Sequence, residues 1–158
     1  MNTQKQNRGF TIIEVVLVLA IAALIFLMIF IALPALQRGQ RDTARKQDAS
    51  TVATAINTWK GNHRGSLPDE AEVNADIRTD YVAQLGQYDT DDEDLFIVTE
   101  DESMPAIAGE DANGLERIGV ALGAQCDDDG SAVEAGTNRT AAVVVLLEAS
   151  NATVCIDV

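Results

Sequence analysis

Histidine is nearly absent from this chain: His63 stands alone among 158 residues. A single imidazole excludes a His-rich metal centre and argues against a His-paired nucleophile. The two cysteines, Cys126 and Cys155, allow at most one bridge. Aromatic residues make up only 4%, so any globular core has to rest on Val, Leu, Ile and Ala. Positive charge is scarce as well, with 11 Lys and Arg against 25 Asp and Glu and a net charge of −14. Binding phosphates needs a basic footprint, so direct nucleic-acid binding is not expected. The sequence holds no G-x-S-x-G, no P-loop and no H-E-x-x-H pattern. For want of a catalytic set an enzyme is the weakest reading, and no cofactor is expected. The length suits one domain plus an attachment segment rather than two full domains.

What is present is unevenly spread. Eight of the 11 basic residues precede Gly65, and 22 of the 25 acidic residues come after it. The front is basic or apolar; the back is strongly acidic and carries both cysteines, which suits a location outside the cell. Residues 1–9 read MNTQKQNRG and include Lys5 and Arg8. Phe10 to Leu33 then read FTIIEVVLVLAIAALIFLMIFIAL, with 19 uncharged apolar residues in a row from Val15 to Leu33. At about 1.5 Å per residue this run nearly spans a hydrocarbon core of about 30 Å. It is longer than the roughly 7–15 apolar residues of a secretory signal, and no A-x-A-like cut site follows it. It reads as a membrane helix.

Two features do not fit an ordinary anchor. Glu14 lies inside the apolar stretch, where a carboxylate is costly and usually has a partner. The helix itself offers none; the plain alternative is a side chain that snorkels to the interface. The flanking charges are the second feature. Lys5 and Arg8 precede the span, while Arg38, Arg41, Arg45 and Lys46 follow it. Counted alone, they would keep the bulk of the chain in the cytoplasm, so counting does not settle the orientation.

The stretch Arg8-Gly9-Phe10-Thr11-Ile12-Ile13-Glu14-Val15-Val16, followed by the apolar run, resembles the class III signal peptide of type IV pilins and of the pseudopilins of type II secretion. The resemblance covers about residues 1–50. It implies that a membrane-bound prepilin peptidase cuts between Gly9 and Phe10 and that the same enzyme N-methylates Phe10. It also implies that Glu14 pairs with the terminal amine of Phe10 on a neighbouring subunit. Physical chemistry agrees: a new amine and a carboxylate are opposite charges in an apolar bundle, and pairing between chains satisfies both. Family helices often carry a Gly and a Pro inside the apolar run. Here Pro34 falls at its end and should kink the helix or loosen the preceding turn.

The resemblance implies a structural subunit, a type IV pilin that polymerises through its apolar helix into a homo-oligomeric helical filament. Adhesion, motility or DNA uptake would be its downstream roles. Its partners would be the prepilin peptidase, the pilus assembly platform with its ATPase motor, and the membrane. The precursor would sit in the inner or cytoplasmic membrane and the product in a surface filament. Two alternatives stay open. One is a pseudopilin of type II secretion or a minor pilin. The other is a membrane-anchored extracellular binding domain that never polymerises.

The organisation expected is a leader at 1–9, a membrane and filament-core half-helix at 10–33, an amphipathic half-helix at 34–60 and an acidic head at 61–158. The whole helix would measure roughly 75 Å if unbroken. Ala49, Val52, Ile56 and Trp59 are spaced three, four and three, which is one helical face, with Arg45, Asp48 and Lys60 placed off it. Trp59 is the largest core anchor, or else part of a binding surface. Gly61 supplies the stop, and Gly65 and Pro68 mark the loop. One short helix is expected near Asp80–Leu85. Strands are expected at Leu95–Thr99, Leu115–Leu122, Ala141–Leu147 and Val154–Ile156, the third continuously apolar and so covered on both faces. The fold class is α+β: a long N-terminal helix packed on a small antiparallel sheet, as in the family.

Cys126 and Cys155 bracket the last two strands. In an exported head they are expected to form a disulfide, as many pilins staple this region; the alternative is two buried free thiols. Asp127-Asp128-Asp129-Gly130 and the acidic run from Asp89 to Asp94 invite a calcium reading, with Asp127 and Asp129 as weak ligand candidates. The run from Asp89 lacks the Gly that an EF-hand needs at its sixth position, where Asp94 stands, so no metal is expected and a solvated loop is the default. His63 reads as a surface residue. Sequon matches at Asn138 and Asn151 are of a kind that arises often by chance.

Overall fold

The computed structural model describes residues 9–82, 85, 96–99, 117–150 and 152–158. The chain forms two compact units, Met1–Gln37 and Arg38–Val158. Helix α1, Ile12–Asn62, begins in the first and ends in the second.

Through the first unit α1 is apolar and bare. Its large apolar residues from Ile12 to Leu36 are exposed, Phe30 by 75% and Met28 by 71%. The helix is long and apolar enough to cross a membrane, with a mean hydropathy of 3.4 over its best 18-residue window. Apolar surface on this scale needs lipid or other apolar helices around it. Pro34 lies inside α1, which continues through it.

The second unit is built on the other half of α1 and a four-stranded sheet. Its strands are β1 (Phe96–Thr99), β2 (Ile118–Leu122), β5 (Ala141–Leu146) and β6 (Thr153–Asp157), in the order β1-β2-β5-β6. Ala49, Val52, Ile56 and Trp59 are all buried, so the helical face read from their spacing is the packing face. Trp59 belongs to the core. Its indole also stacks on the exposed ring of His63, with centroids 3.7 Å apart.

The sheet alternates as a sandwiched sheet must. Ile118, Val120, Val143 and Val145 share the core with the α1 face. Ala121 and Ala142 point the other way, into a second cluster with Ala124. That reverse face is covered by β3 (Ala124–Cys126) and β4 (Val133–Ala135), a separate two-stranded antiparallel sheet. Strand β5 is thus buried on both faces, as its unbroken apolar run requires. The β3–β4 pair was not legible in the sequence, because three-residue strands of mixed polarity carry no period.

Gly123 makes the second sheet accessible from the first. Its φ of +74° turns the chain sharply between β2 and β3. Its N–H donates to Thr140 (2.9 Å), and its carbonyl accepts from Gly136 (2.9 Å). Gly136 itself marks a close approach. A Cβ there would stand 2.7 Å from the carbonyl carbon of Ala124 and 3.0 Å from its Cα. Backbone cannot yield as the tip of a side chain can. Gly136→Ala is expected to destabilise the head by about 1–3 kcal/mol, seen as a lower melting temperature by circular dichroism; an unchanged midpoint would refute the contact.

Several expectations are corrected. Strand β1 pairs with β2 in parallel, Phe96 opposite Ile118, so the sheet is mixed and antiparallel only across β2-β5-β6. The short helix lies earlier than expected: one α turn, α2 (Glu70–Glu72), runs into a π-helical stretch at Val73–Tyr81. Its start is a capping box in which Asp69 and Glu72 exchange side-chain-to-backbone bonds of 2.8 and 2.9 Å. Gly61 does not stop α1. The stop comes where Arg64 and Gly65 take left-handed φ of 60° and 84° and Gly65 donates to the Lys60 carbonyl at 2.8 Å. A glycine inside a helix costs only about 1 kcal/mol relative to alanine, too little to end a helix still packing through Trp59. Arg45 and Asp48 do not lie off the buried face; both are buried, as is Asp42. Leu95, Leu115 and the run from Asp89 to Asp94 lie outside the described residues, as does Asn151.

Candidate functional site

The N-terminal site is built from the first residues of α1 and the two before them. Gly9 and Phe10 precede the helix and are exposed, Phe10 by 88%. A Cβ on Gly9 would meet nothing within 4 Å. Among the described residues no contact therefore requires glycine there.

Thr11 and Glu14 close the helix start. The Thr11 backbone N–H donates to Glu14 Oε2 at 3.0 Å and the Thr11 hydroxyl to the same oxygen at 2.9 Å. The Glu14 N–H in turn reaches Thr11 Oγ1 at 3.4 Å. This is a capping box: two orphan N–H groups of the first turn are satisfied reciprocally. The expectation that the helix offers Glu14 no partner is thereby corrected. The signal is in the sequence as T-x-x-E ahead of an apolar run.

A second polar centre joins α1 to the turn after β5. Asp42 accepts the backbone N–H groups of Glu148 (2.7 Å) and Ala149 (3.0 Å). Arg41 forks onto the Glu148 carboxylate, Nε to Oε2 at 2.7 Å and Nη2 to Oε1 at 2.6 Å. Buried Arg45 lies 3.4 Å from Asp42 Oδ1 and 3.7 Å from Glu148 Oε2. Arg38 stands 3.7 Å from Glu148 Oε1. The fork of Arg41 holds the Glu148 carboxyl below the ordinary glutamate range, and the charges of Arg41, Arg45 and Arg38 add to this. The same bond raises the Arg41 guanidinium above its usual value.

All three arginines lie within 3.7 Å of a Glu148 carboxylate oxygen. Asp42, Arg45, Ala49, Val52, Ile56 and Trp59 form one continuous stripe of spacing three and four. Its upper end is ionic because the opposing turn offers N–H groups and a carboxylate rather than apolar side chains. Only the distant partner, Glu148, was invisible in the sequence.

The cysteines meet as a disulfide, Cys126–Cys155, with Cα atoms 5.7 Å apart. It ties the end of β3 to β6. The acidic loop after Cys126 is internally bonded. Asp127 Oδ1 accepts N–H bonds from Ser131 (2.7 Å) and Ala132 (3.0 Å). These backbone bonds, Ala132 first, hold the Asp127 carboxyl below the usual aspartate range. Gly130 and Cys155 continue the loop onto β6, the Cys155 N–H donating to the Gly130 carbonyl at 2.9 Å. Asp127 thus serves the turn, and Asp129 is exposed beside it. Among the described residues no group of three His, Cys, Asp or Glu side chains is placed to hold a metal ion.

Comparison with curated proteins and with solved structures finds no match for this chain. A family model does match at its N-terminus, over residues 4–30. Its span takes in Gly9, Phe10, Thr11 and Glu14 and most of the bare apolar helix. Those residues carry the prokaryotic N-terminal methylation motif, the class III signal peptide of type IV pilins and pseudopilins.

Proposed function

We propose that this chain is the precursor of a type IV pilin, a filament subunit that does no chemistry of its own. The observation that carries the reading is the methylation motif at residues 4–30, set on a helix whose large apolar residues are exposed from Ile12 to Leu36. Prepilin peptidase cuts between Gly9 and Phe10 and methylates the new Phe10 amine. An exposed, non-helical peptide bond ahead of the first helical turn suits a protease, since helical backbone does not enter an extended cleft. Glycine at position 9 then answers to the enzyme, because no contact among the described residues needs it.

The apolar helix first sits in lipid and later in the filament core beside other copies. Glu14 is held by Thr11 within its own chain until a neighbour's Phe10 amine competes for it. A cation in an apolar bundle outcompetes a neutral hydroxyl, since a full charge adds a Coulomb attraction to the carboxylate that a hydroxyl dipole does not supply. Pairing then sets the axial register of the incoming subunit. The membrane platform and its ATPase motor act on this helix, and the acidic head, net negative, faces water. Export puts the disulfide-bearing head outside the cell.

The test is the intact mass and N-terminal peptide of the protein from its native cells. A chain that starts at Phe10 with one added methyl group supports the reading. A chain that still starts at Met1, or starts beyond Leu33, overturns it. Electron microscopy of sheared filaments would then separate a pilin from a pseudopilin.

A further inference from the structure

The arginine cluster behind the apolar run is only partly neutralised by the head. Glu148 has two oxygens, and Arg41 engages both, at 2.7 and 2.6 Å. Arg38 reaches the same carboxylate only at 3.7 Å and leaves 57% of its side chain exposed. Arg41 keeps 40% exposed. A guanidinium carries five N–H donors in a planar fork, so both side chains retain donors that no bond to Glu148 uses. Lys46, also exposed, adds a third cation about two turns beyond Arg38. Arg38 follows Leu36, the last exposed large apolar residue of the run, by two positions. A fork of donors directly after a membrane-length apolar helix sits at the depth of lipid phosphates.

We propose that Arg38 and Arg41 form a seat for the phosphate of an anionic lipid headgroup, with Glu148 as the internal counter-charge that competes for it. This rests on the membrane-anchored reading above. An anionic phospholipid is favoured over an acidic protein face because the seat continues the apolar run. Glu148 sets how strong the seat is: while its carboxylate is on Arg41, the phosphate gains chiefly from Arg38. When the helix leaves the bilayer, the carboxylate remains, so the guanidinium groups are not left bare.

The test uses the full-length precursor in vesicles of phosphatidylcholine with a minority of phosphatidylglycerol. Spin-labelled analogues of each lipid report its association relative to the other. The wild-type chain should prefer phosphatidylglycerol. Arg38→Gln should lower that preference by roughly two- to fivefold, in keeping with about 1 kcal/mol for each basic residue near an anionic surface. Arg38→Lys should retain most of it. Glu148→Gln should move it the opposite way, upward, which general damage to the head would not do. An Arg38→Gln chain with unchanged preference overturns the proposal. So does a Glu148→Gln chain whose preference falls, or a set of variants that alter self-association in detergent while leaving lipid preference intact, which would give the belt to a second copy. A chain that fails to float with the vesicles at all would instead overturn the anchor on which the seat depends.

Discussion

Replacing Asp42 by alanine is expected to destabilise the Arg38–Val158 unit by about 3–5 kcal/mol, the usual cost of removing one partner from a buried charged pair. The carboxylate is buried, and two backbone N–H groups, those of Glu148 and Ala149, end on it. Without it both donors lose their acceptor, and buried Arg45 loses the carboxylate 3.4 Å away. Asp42→Asn should recover only part of the loss, because the amide accepts hydrogen bonds but supplies no charge. Chemical denaturation of the head, followed by the fluorescence of Trp59, gives the measurement. A midpoint within error of the wild type for Asp42→Ala would show that the helix and the turn after β5 are not joined in this way.

The same clasp dictates a pH dependence. The Glu148 carboxyl titrates below its ordinary range, first because of the Arg41 fork. A group with a lowered folded value binds fewer protons folded than unfolded. Its contribution is therefore complete above the unfolded glutamate value of about 4.3 and is lost as pH falls through the lower, folded value. Asp127 adds to the loss in the same direction. The head should have flat stability between neutral pH and about 5 and should weaken steeply below that. Arg41→Gln should flatten the acid limb; a limb of unchanged steepness would assign it to other carboxylates.

Removing the disulfide is the second large effect. Cys126 and Cys155 lie 29 positions apart. A loop of that length constrains the unfolded chain by about 3–4 kcal/mol in the entropy model. The double variant Cys126→Ala/Cys155→Ala is expected to lose that much, and to melt about 10–20 °C lower in a head of this size. The loss should be felt at the β3–β4 side of the fold, because the bridge anchors β3 to β6 behind the sheet. Amide exchange should therefore quicken in β3 and β6 before it does in the α1 face. A reduced protein that melts with the oxidised one would mean that residual structure in the unfolded chain already constrains the loop.

Much of the candidate site was legible because it acts through neighbours in sequence. Gly9, Phe10 and Glu14 lie within one short motif, and the helix behind them is apolar by simple count. The buried face of α1 was readable from the spacing of Ala49, Val52, Ile56 and Trp59. The same arithmetic, carried back to Arg45 and Asp42, would have placed those charges on it too. A charge is ordinarily expected to face water, an expectation that fails wherever the opposite wall supplies a counter-charge. The capping box at Thr11 and Glu14 is equally readable, as T-x-x-E ahead of an apolar run. Capping and assembly are compatible roles, since a first-turn carboxylate is where a helix satisfies its free N–H groups and where a terminal amine would arrive.

The amino-acid sequence by itself determined the processing motif, the membrane-length helix, the amphipathic stripe and the doubly covered strand Ala141–Leu146. Each of these is a local regularity, held in composition or in a period of a few residues. Only the tertiary structure decided that Glu148 is the partner of Arg41, 107 positions away. It also decided that β1 joins the sheet in parallel, that a small β3–β4 sheet covers the reverse face, and that Asp127 holds its own loop rather than standing free. These are choices among partners far apart in the chain. Their energies depend on burial and on hydrogen-bond distance, and no local pattern of residues records either.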